Sequence, residues 1–351
     1  SASRSSCGSG CGGARVVATI VPDEGSDHLP IRALLSWTAL TLCAAWAAVM
    51  APLWTYAGSL ALFGLPHVLV ELRYVDRVFA PRLGRTLLLG VLVGLGAIAL
   101  LRGLGLLAIG APLLRTQAEL GVGAALAGVV AWVGVPARSP AGLVSVAVAG
   151  TLLAGVVWAP VTTLVVFAFA HNLTPLGFLA AGLRGPNRAP WLALAGVAFV
   201  LVPLLIVFGW PSTAGDLTLE GPPGVGPIEQ HLGAFVPPAV QMEAIALDLF
   251  SAAAYLQCMH YAVVLGVLPA LPALPREPAP GTRVAPVLLD QVARGPAVFV
   301  LGAIATAGFA FAFLSTRASY GVVAAVHAWV EVPVLIAALA AVPPSREVVA
   351  A

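Results

Sequence analysis

Apolar runs long enough to cross a bilayer recur along this chain from residue 33 to residue 342, more than any soluble fold of its size can bury. A helix rises 1.5 Å per residue, so about twenty residues cross a hydrocarbon core of about 30 Å. Ten spans fit, at approximately 33–50, 53–75, 84–101, 117–135, 141–158, 161–183, 190–209, 241–269, 295–314 and 318–342. With 60% hydrophobic and 9% charged residues among 351, a soluble globule is excluded. The runs are continuously apolar rather than alternating with period two, which selects helices over a closed barrel. The expected fold is therefore all-α, a polytopic integral membrane bundle of about ten transmembrane helices. Residues 102–116, interrupted by Arg102, Pro112 and Arg115, either re-enter the bilayer or extend a neighbouring span.

Every basic residue is arginine, so orientation rests on 17 side chains. With a cytoplasmic N-terminus, Arg102, Arg115 and Arg317 fall on the outer side and the other fourteen on the inner side. That asymmetry predicts two cytoplasmic termini and an extracytoplasmic 210–240 loop; the expected location is a bacterial inner membrane. Residues 1–30, small, polar and glycine-rich, read as a disordered cytoplasmic tail, 31–345 as one transmembrane domain and 346–351 as a second tail. No cleavable leader precedes the first span, which is expected to serve as an uncleaved anchor. Cys7 and Cys11 form a CxxxC pair without zinc-site partners, while Cys43 and Cys258 are expected to pack as small apolar residues. Within the long loop, GAFVPPAV either lies along the interface or caps the bundle, and His231 is expected to be solvated. A net charge of +2 gives no reason to expect a nucleic-acid partner.

Four of the six histidines, His67, His171, His260 and His327, each fall inside a different span. An imidazole in hydrocarbon needs a partner, so four on separate helices point to one shared polar site. Glu71 follows His67 by four residues and Glu331 follows His327 by four, which puts each pair on one helix face. Glu71 also has Arg73 and Arg77 nearby as salt-bridge partners, whereas Glu331 has no nearby arginine. Counting residues from the outer helix ends places the four imidazoles roughly 13–28 Å deep, a spread that tilt can absorb. Pro66, Pro175 and Pro333 lie close to the histidines and should kink their helices, freeing carbonyls. The first and third hairpins echo one another: Ala51-Pro52 and Ala159-Pro160 are both turns leading into a histidine-bearing helix.

Imidazole with carboxylate and no thiolate suits non-haem iron, zinc, copper or manganese, with iron favoured for oxygen chemistry. Haem b is the competing cofactor, because imidazoles on facing helices can ligate it. No helix carries two histidines at the separation that stacks two haems across a membrane.

At FGLPHVLVE the chain resembles the Brp/Blh family of bacterial membrane β-carotene 15,15′-dioxygenases, whose early helix carries a GxPHGAxD-like motif. Gly64, Leu65, Pro66 and His67 match its start, and Glu71 stands at the aspartate. Val68 and Leu69 replace the Gly-Ala pair, and the family's later HxxxH is absent here. The resemblance covers about nine residues and the many-helix architecture, and it implies His67 as an iron ligand.

The expectation from these residues is a membrane-embedded non-haem iron oxygenase-like protein acting on an apolar small molecule, isoprenoid, carotenoid or lipid, that enters from the bilayer. His67, His171, His260, His327, Glu331 and Glu71 are the candidate metal residues, with Tyr261 and Gln257 lining the pocket as candidate catalytic groups. A transporter or channel would use the same His/Glu groups as a proton or metal relay. A haem-binding subunit would use two of the histidines, and a structural subunit with partner subunits would need none.

Overall fold

The computed structural model describes residues 31–78, 80–134, 140–183, 188–208, 220–270 and 296–340; side chains at 77–86, 133–141, 296–297 and 337–340, and those of Ala131 and Ala270, are not described. The expected tails at 1–30 and 346–351, with Cys7 and Cys11, lie outside these residues. Among the described residues there is no strand.

Thirteen helices follow in order: α1 Ile31–Met50, α2 Pro52–Val78, α3 Ala80–Leu106, α4 Pro112–Gly134, α5 Pro140–Trp158, α6 Pro160–His171, α7 Thr174–Gly182, α8 Arg188–Gly196, α9 Val202–Phe208, α10 Glu229–Leu232, α11 Ile245–Gly266, α12 Pro296–Phe311 and α13 Phe313–Ala340. Proline opens many of them because the first helical position needs no N–H partner and its φ suits the helix. Eight helical stretches are long and apolar enough to cross a membrane, with α6–α7 counted as one and α8–α9 as another; Gly142–Trp158 and Val298–Phe311 are shorter apolar helices. Large aromatics face outward, Trp132 at 90% and Phe311 at 91% exposure, while Glu71, His260 and Glu331 are fully buried. A surface this apolar around polar residues this buried is that of an integral membrane protein.

The interrupted 102–116 stretch extends both neighbouring spans. Helix α3 runs on to Leu106, a turn with Ala108 at φ 55° and Gly110 at φ 77° follows, and α4 starts at Pro112. The Arg115 guanidinium donates to the carbonyls of Ile109 and Gly110, tying that turn shut.

Helix α11 is the axis of the fold: every residue from Phe250 to Gln257 is buried, and α1, α2 and α9 pack on it. Its polar side chains serve as interhelical ties. Tyr255 Oη donates to Ala198 O at 2.7 Å, within a π-helical turn at Val197–Leu201 that joins α8 to α9. Such a turn disturbs the regular carbonyl ladder and leaves an acceptor to satisfy. Gln257 Nε2 donates to Ser59 Oγ at 2.7 Å and to Tyr56 O at 3.2 Å, fastening α11 to α2.

Three single-residue elbows join consecutive helices, at Ala51, Ala159 and Ala312. At each, the alanine N–H bonds back four residues, to Ala47, Gly155 or Gly308, and its carbonyl accepts from Thr55, Thr163 or Thr316. The first position must be small: a Cβ on Gly155 would lie 2.3 Å from Thr163 Oγ1, and one on Gly308 3.2 Å from Thr316 Oγ1. Two of these elbows are the Ala-Pro turns seen in the sequence, and the third has phenylalanine in place of proline. Each leads into a helix bearing one of the four histidines, about 18–24 Å farther along the helix axis.

The described part of the long loop, 220–240, folds back onto the bundle. Val225, Ile228 and Val236 are buried, and Phe235 meets Tyr56 edge to face at a centroid distance of 5.9 Å. GAFVPPAV thus packs against the helix ends, the capping alternative. His231 is not solvated as expected; it is fully buried between Tyr56 and Phe313. The sequence pattern was misleading here because proline and glycine mark a loop without telling whether it packs.

Candidate metal centre

The turn of α2 before Pro66 is where the site begins. A proline interrupts the N–H to carbonyl ladder, and around it three carbonyls receive side-chain donors. Thr306 Oγ1 donates to Ala61 O at 2.7 Å, His67 Nδ1 to Phe63 O at 3.1 Å and Tyr320 Oη to Gly64 O at 2.9 Å. His67 is thereby fixed as the Nδ1–H tautomer, with the Nε2 lone pair free.

His171 is positioned by a broken span. Helix α6 ends at His171, and Pro175 has no N–H to give to the His171 carbonyl. Thr174 Oγ1 takes that place at 2.7 Å, and Asn172 Nδ2 donates to Ala168 O at 3.2 Å. The break stays satisfied, and the His171 ring turns inward to bring Nδ1 within 2.6 Å of Glu331 Oε2.

His260 comes from α11 and His327 from α13. The four rings converge: His67 lies 5.2 Å from His260 and 4.9 Å from His327 by ring centroid, and His171 lies 4.8 Å and 5.0 Å from the same two. Glu71 Oε2 stands 3.3 Å from His260 Nε2 and 3.4 Å from His327 Nε2, and Glu331 Oε1 is 3.6 Å from His327 Nε2. Glu71 therefore faces histidines in the interior of the bundle.

Two overlapping quartets result, each with ligand atoms within 4.8 Å of one another: His67, His171, His260 and His327, and Glu71, His260, His327 and Glu331. Both oxygens of Glu71, both ring nitrogens of His260 and of His327, and Glu331 Oε1 are buried without a hydrogen-bond partner. Leaving a buried polar atom unsatisfied costs several kcal/mol on apolar reference scales, and native interiors rarely tolerate a group of them together. A cation at their centre would use these lone pairs. The donor set fits one divalent ion: four neutral imidazoles and two carboxylates balance its charge. His67 and His171 also carry the outer hydrogen bonds that orient metal-binding imidazoles, to a backbone carbonyl and to a carboxylate.

Tyr261 lies beside the centre, its ring 4.1 Å from that of His67. It lines a cavity of about 690 Å³ that His67, His171 and His327 also face, and Gln257 forms part of the same wall with its amide nitrogen committed to α2. The other walls include Leu60, Leu164, Phe167 and Trp329. Trp329 stacks on Phe167 at 4.0 Å and donates Nε1–H to Glu119 Oε1 at 2.9 Å. Glu119 in turn holds Arg102 at 2.8 Å and 2.7 Å. Neither Glu119 nor Tyr320 was singled out from sequence. A lone acid inside an apolar span was the available signal for Glu119; the inward aim of Tyr320 had none.

His231, outside this centre, accepts from Arg317 at Nδ1 and donates from Nε2 to Val225 O at 3.0 Å. Burial pushes its pKa below the ordinary 6.5, the Val225 carbonyl partly opposes that, and the Arg317 charge adds to the lowering.

Comparison of the chain with family models, with curated proteins and with solved structures gives no match.

Proposed function

We propose that this is a membrane-embedded non-haem iron protein, oxygenase-like, that acts on the chain of an apolar isoprenoid, carotenoid or lipid admitted from the bilayer. The observation that carries the reading is the convergence of four imidazoles and two carboxylates from α2, α6, α11 and α13, with unpartnered lone pairs beside a cavity whose lining is largely apolar. Hard and borderline donors without thiolate favour iron or zinc, and iron is the one of the two suited to oxygen chemistry. A bound ferrous ion would supply dioxygen activation.

The protein's own residues would do the rest. His67 and His171 are held by Phe63 O and Glu331 so that their remaining nitrogens face inward. Leu60, Leu164 and Phe167 would exclude water and orient an apolar chain, and Tyr261, beside His67, is placed to touch that chain or to hold a proton at its hydroxyl. The resemblance of FGLPHVLVE to the Brp/Blh motif agrees with His67 as a ligand. Haem fits less well, because the remaining imidazoles and both carboxylates crowd any pair of histidines that would hold it. A proton or ion relay would draw on the same groups and on the broken α6–α7 span.

The same proposal puts the chain in a bacterial inner membrane, with cytoplasmic termini and the 210–240 loop outside as the arginine asymmetry predicts. Metal analysis and an optical spectrum of gently purified protein test the function. One iron per chain without a Soret band is expected; a Soret band, or no metal at all, removes the oxygenase reading.

A further inference from the structure

The cavity that reaches the metal centre has a charged mouth. Arg102, Arg115 and Arg317 all line it, at the end of the bundle where the 220–240 loop packs. Glu119 is the only carboxylate in its wall among the described residues, and that carboxylate is spent: Oε1 accepts from Arg102 and Trp329, and Oε2 is ion-paired with Arg102 Nε. The other two guanidiniums have neutral partners. Arg115 donates to the carbonyls of Ile109 and Gly110, and Arg317 to His231 Nδ1 and Gln230 O. Each is held in place yet keeps its full charge, so among the described residues the mouth carries two positive charges without a carboxylate partner, at the edge of a low-dielectric interior.

An apolar substrate would gain nothing from such a mouth, whereas an anion would be drawn to it and fixed by charge-assisted hydrogen bonds. Arg317 and His327 lie on the same helix, ten residues apart, which separates mouth from centre by about 15 Å along the axis. Between them α13 lines the cavity mostly with small or apolar residues, Ala318, Gly321, Val322, Ala324 and Ala325, with Tyr320 among them. The polarity of this lining, charged at one end and largely apolar beyond it, suits a chain with one charged end.

We propose that the cavity binds a single-chain amphiphile whose oxyanion head, carboxylate or phosphate, is held by Arg115 and Arg317 while its apolar chain runs inward to the His/Glu centre. The direction of the chain rests on the metal-centre reading above; the anion site at the mouth stands on its own. Arginine suits the role because its planar fork binds two oxygens of one head at once.

The test uses the metal-loaded protein in neutral phosphatidylcholine nanodiscs, with stearic acid, stearyl phosphate and stearyl alcohol as competing probes against a radiolabelled stearate. At least tenfold tighter binding of one or both anions than of the alcohol is expected, and the ratio between the two anions tells which head the site takes. Arg115→Gln and Arg317→Gln should each cut that preference to threefold or less, while Arg115→Lys and Arg317→Lys keep more of it; metal content and a monodisperse elution profile verify folding. Equal binding of acid, phosphate and alcohol to the wild-type protein overturns the proposal, with no variant needed. Anion preference in a protein that purifies without metal and will not take up iron would sink the iron function instead and leave the anion site standing.

Discussion

Glu331 Oε2 lies 2.6 Å from His171 Nδ1, a bond between the last helix and the broken sixth. It joins two interrupted elements of the centre, since α6 ends at His171 and α13 contains Pro333. The carboxylate fixes the imidazole tautomer and leaves its other oxygen 3.6 Å from His327. Glu331 thus has two roles, orienting one histidine and facing another.

Removal of a single imidazole should damage the whole centre. His67→Ala, His171→Ala, His260→Ala and His327→Ala are each expected to lower bound metal at least tenfold, because the remaining ligands no longer close a site. Metal stoichiometry after purification is the measurement. Full occupancy in three of the four variants would show that the histidines do not share an ion.

The two carboxylates should respond alike. The sequence suggested that boundary arginines would shelter Glu71, so that glutamine there would be tolerated better than at position 331. With Glu71 Oε2 within 3.4 Å of both His260 and His327, no such asymmetry remains. Glu71→Gln and Glu331→Gln are each expected to weaken metal retention about 10–100-fold, the range seen when groups around a metal are altered. Retention under a chelator titration compares them directly; an unaffected Glu71→Gln protein would return that residue to a boundary role.

Helix α4 gives a test of packing next to the centre. A Cβ on Gly123 would lie 2.0 Å from Trp329 Cζ3, in a ring fixed by Phe167 and Glu119, whereas one on Gly128 would meet nothing within 4 Å. Gly123→Ala should therefore destabilise by about 1–3 kcal/mol through overpacking. Gly128→Ala should be neutral or stabilise by up to about 1 kcal/mol through helix propensity. Thermal unfolding in one detergent separates the two, and equal melting temperatures would refute the contact.

The loop should loosen in mild acid. His231 is held neutral, with its pKa below the ordinary 6.5, because burial opposes charge and Nδ1 accepts from Arg317. A depressed folded value means that the unfolded state binds more protons as pH drops. The stability contributed by neutral His231 is then fully present above about pH 6.5 and is lost as pH falls through the lower folded value. Amide protection in 220–240, taken relative to the intrinsic exchange rate at each pH, should fall over that window, and His231→Gln should flatten the dependence. An unchanged profile in the variant assigns the effect to another group.

Much of this architecture was legible in advance because the bilayer imposes a length on every span. The ten runs correspond to the eight long helical stretches and two shorter ones, and the four histidines that stood out as intramembrane imidazoles do meet. What escaped was geometry that periodicity does not encode. The linker allowed between the last two spans shrank to the single residue Ala312, because Gly308 lets Thr316 approach. Helix α6 ends at His171 because Pro175 and Thr174 act together, an interplay that no one residue announces. His231 looked like a loop residue because burial by packing of a loop leaves no trace in hydropathy.

The order in which the ligands occur along the chain has a consequence for biogenesis. His67 leaves the ribosome early, on α2, while His327 and Glu331 sit on α13, the last described helix. The nascent protein therefore passes most of its synthesis with an incomplete set of donors, and the elbow at Ala312 must form before the final two swing in. On the proposed reading, metal would be captured at full affinity only after the whole bundle has been inserted and closed, which would make loading a late check on membrane assembly.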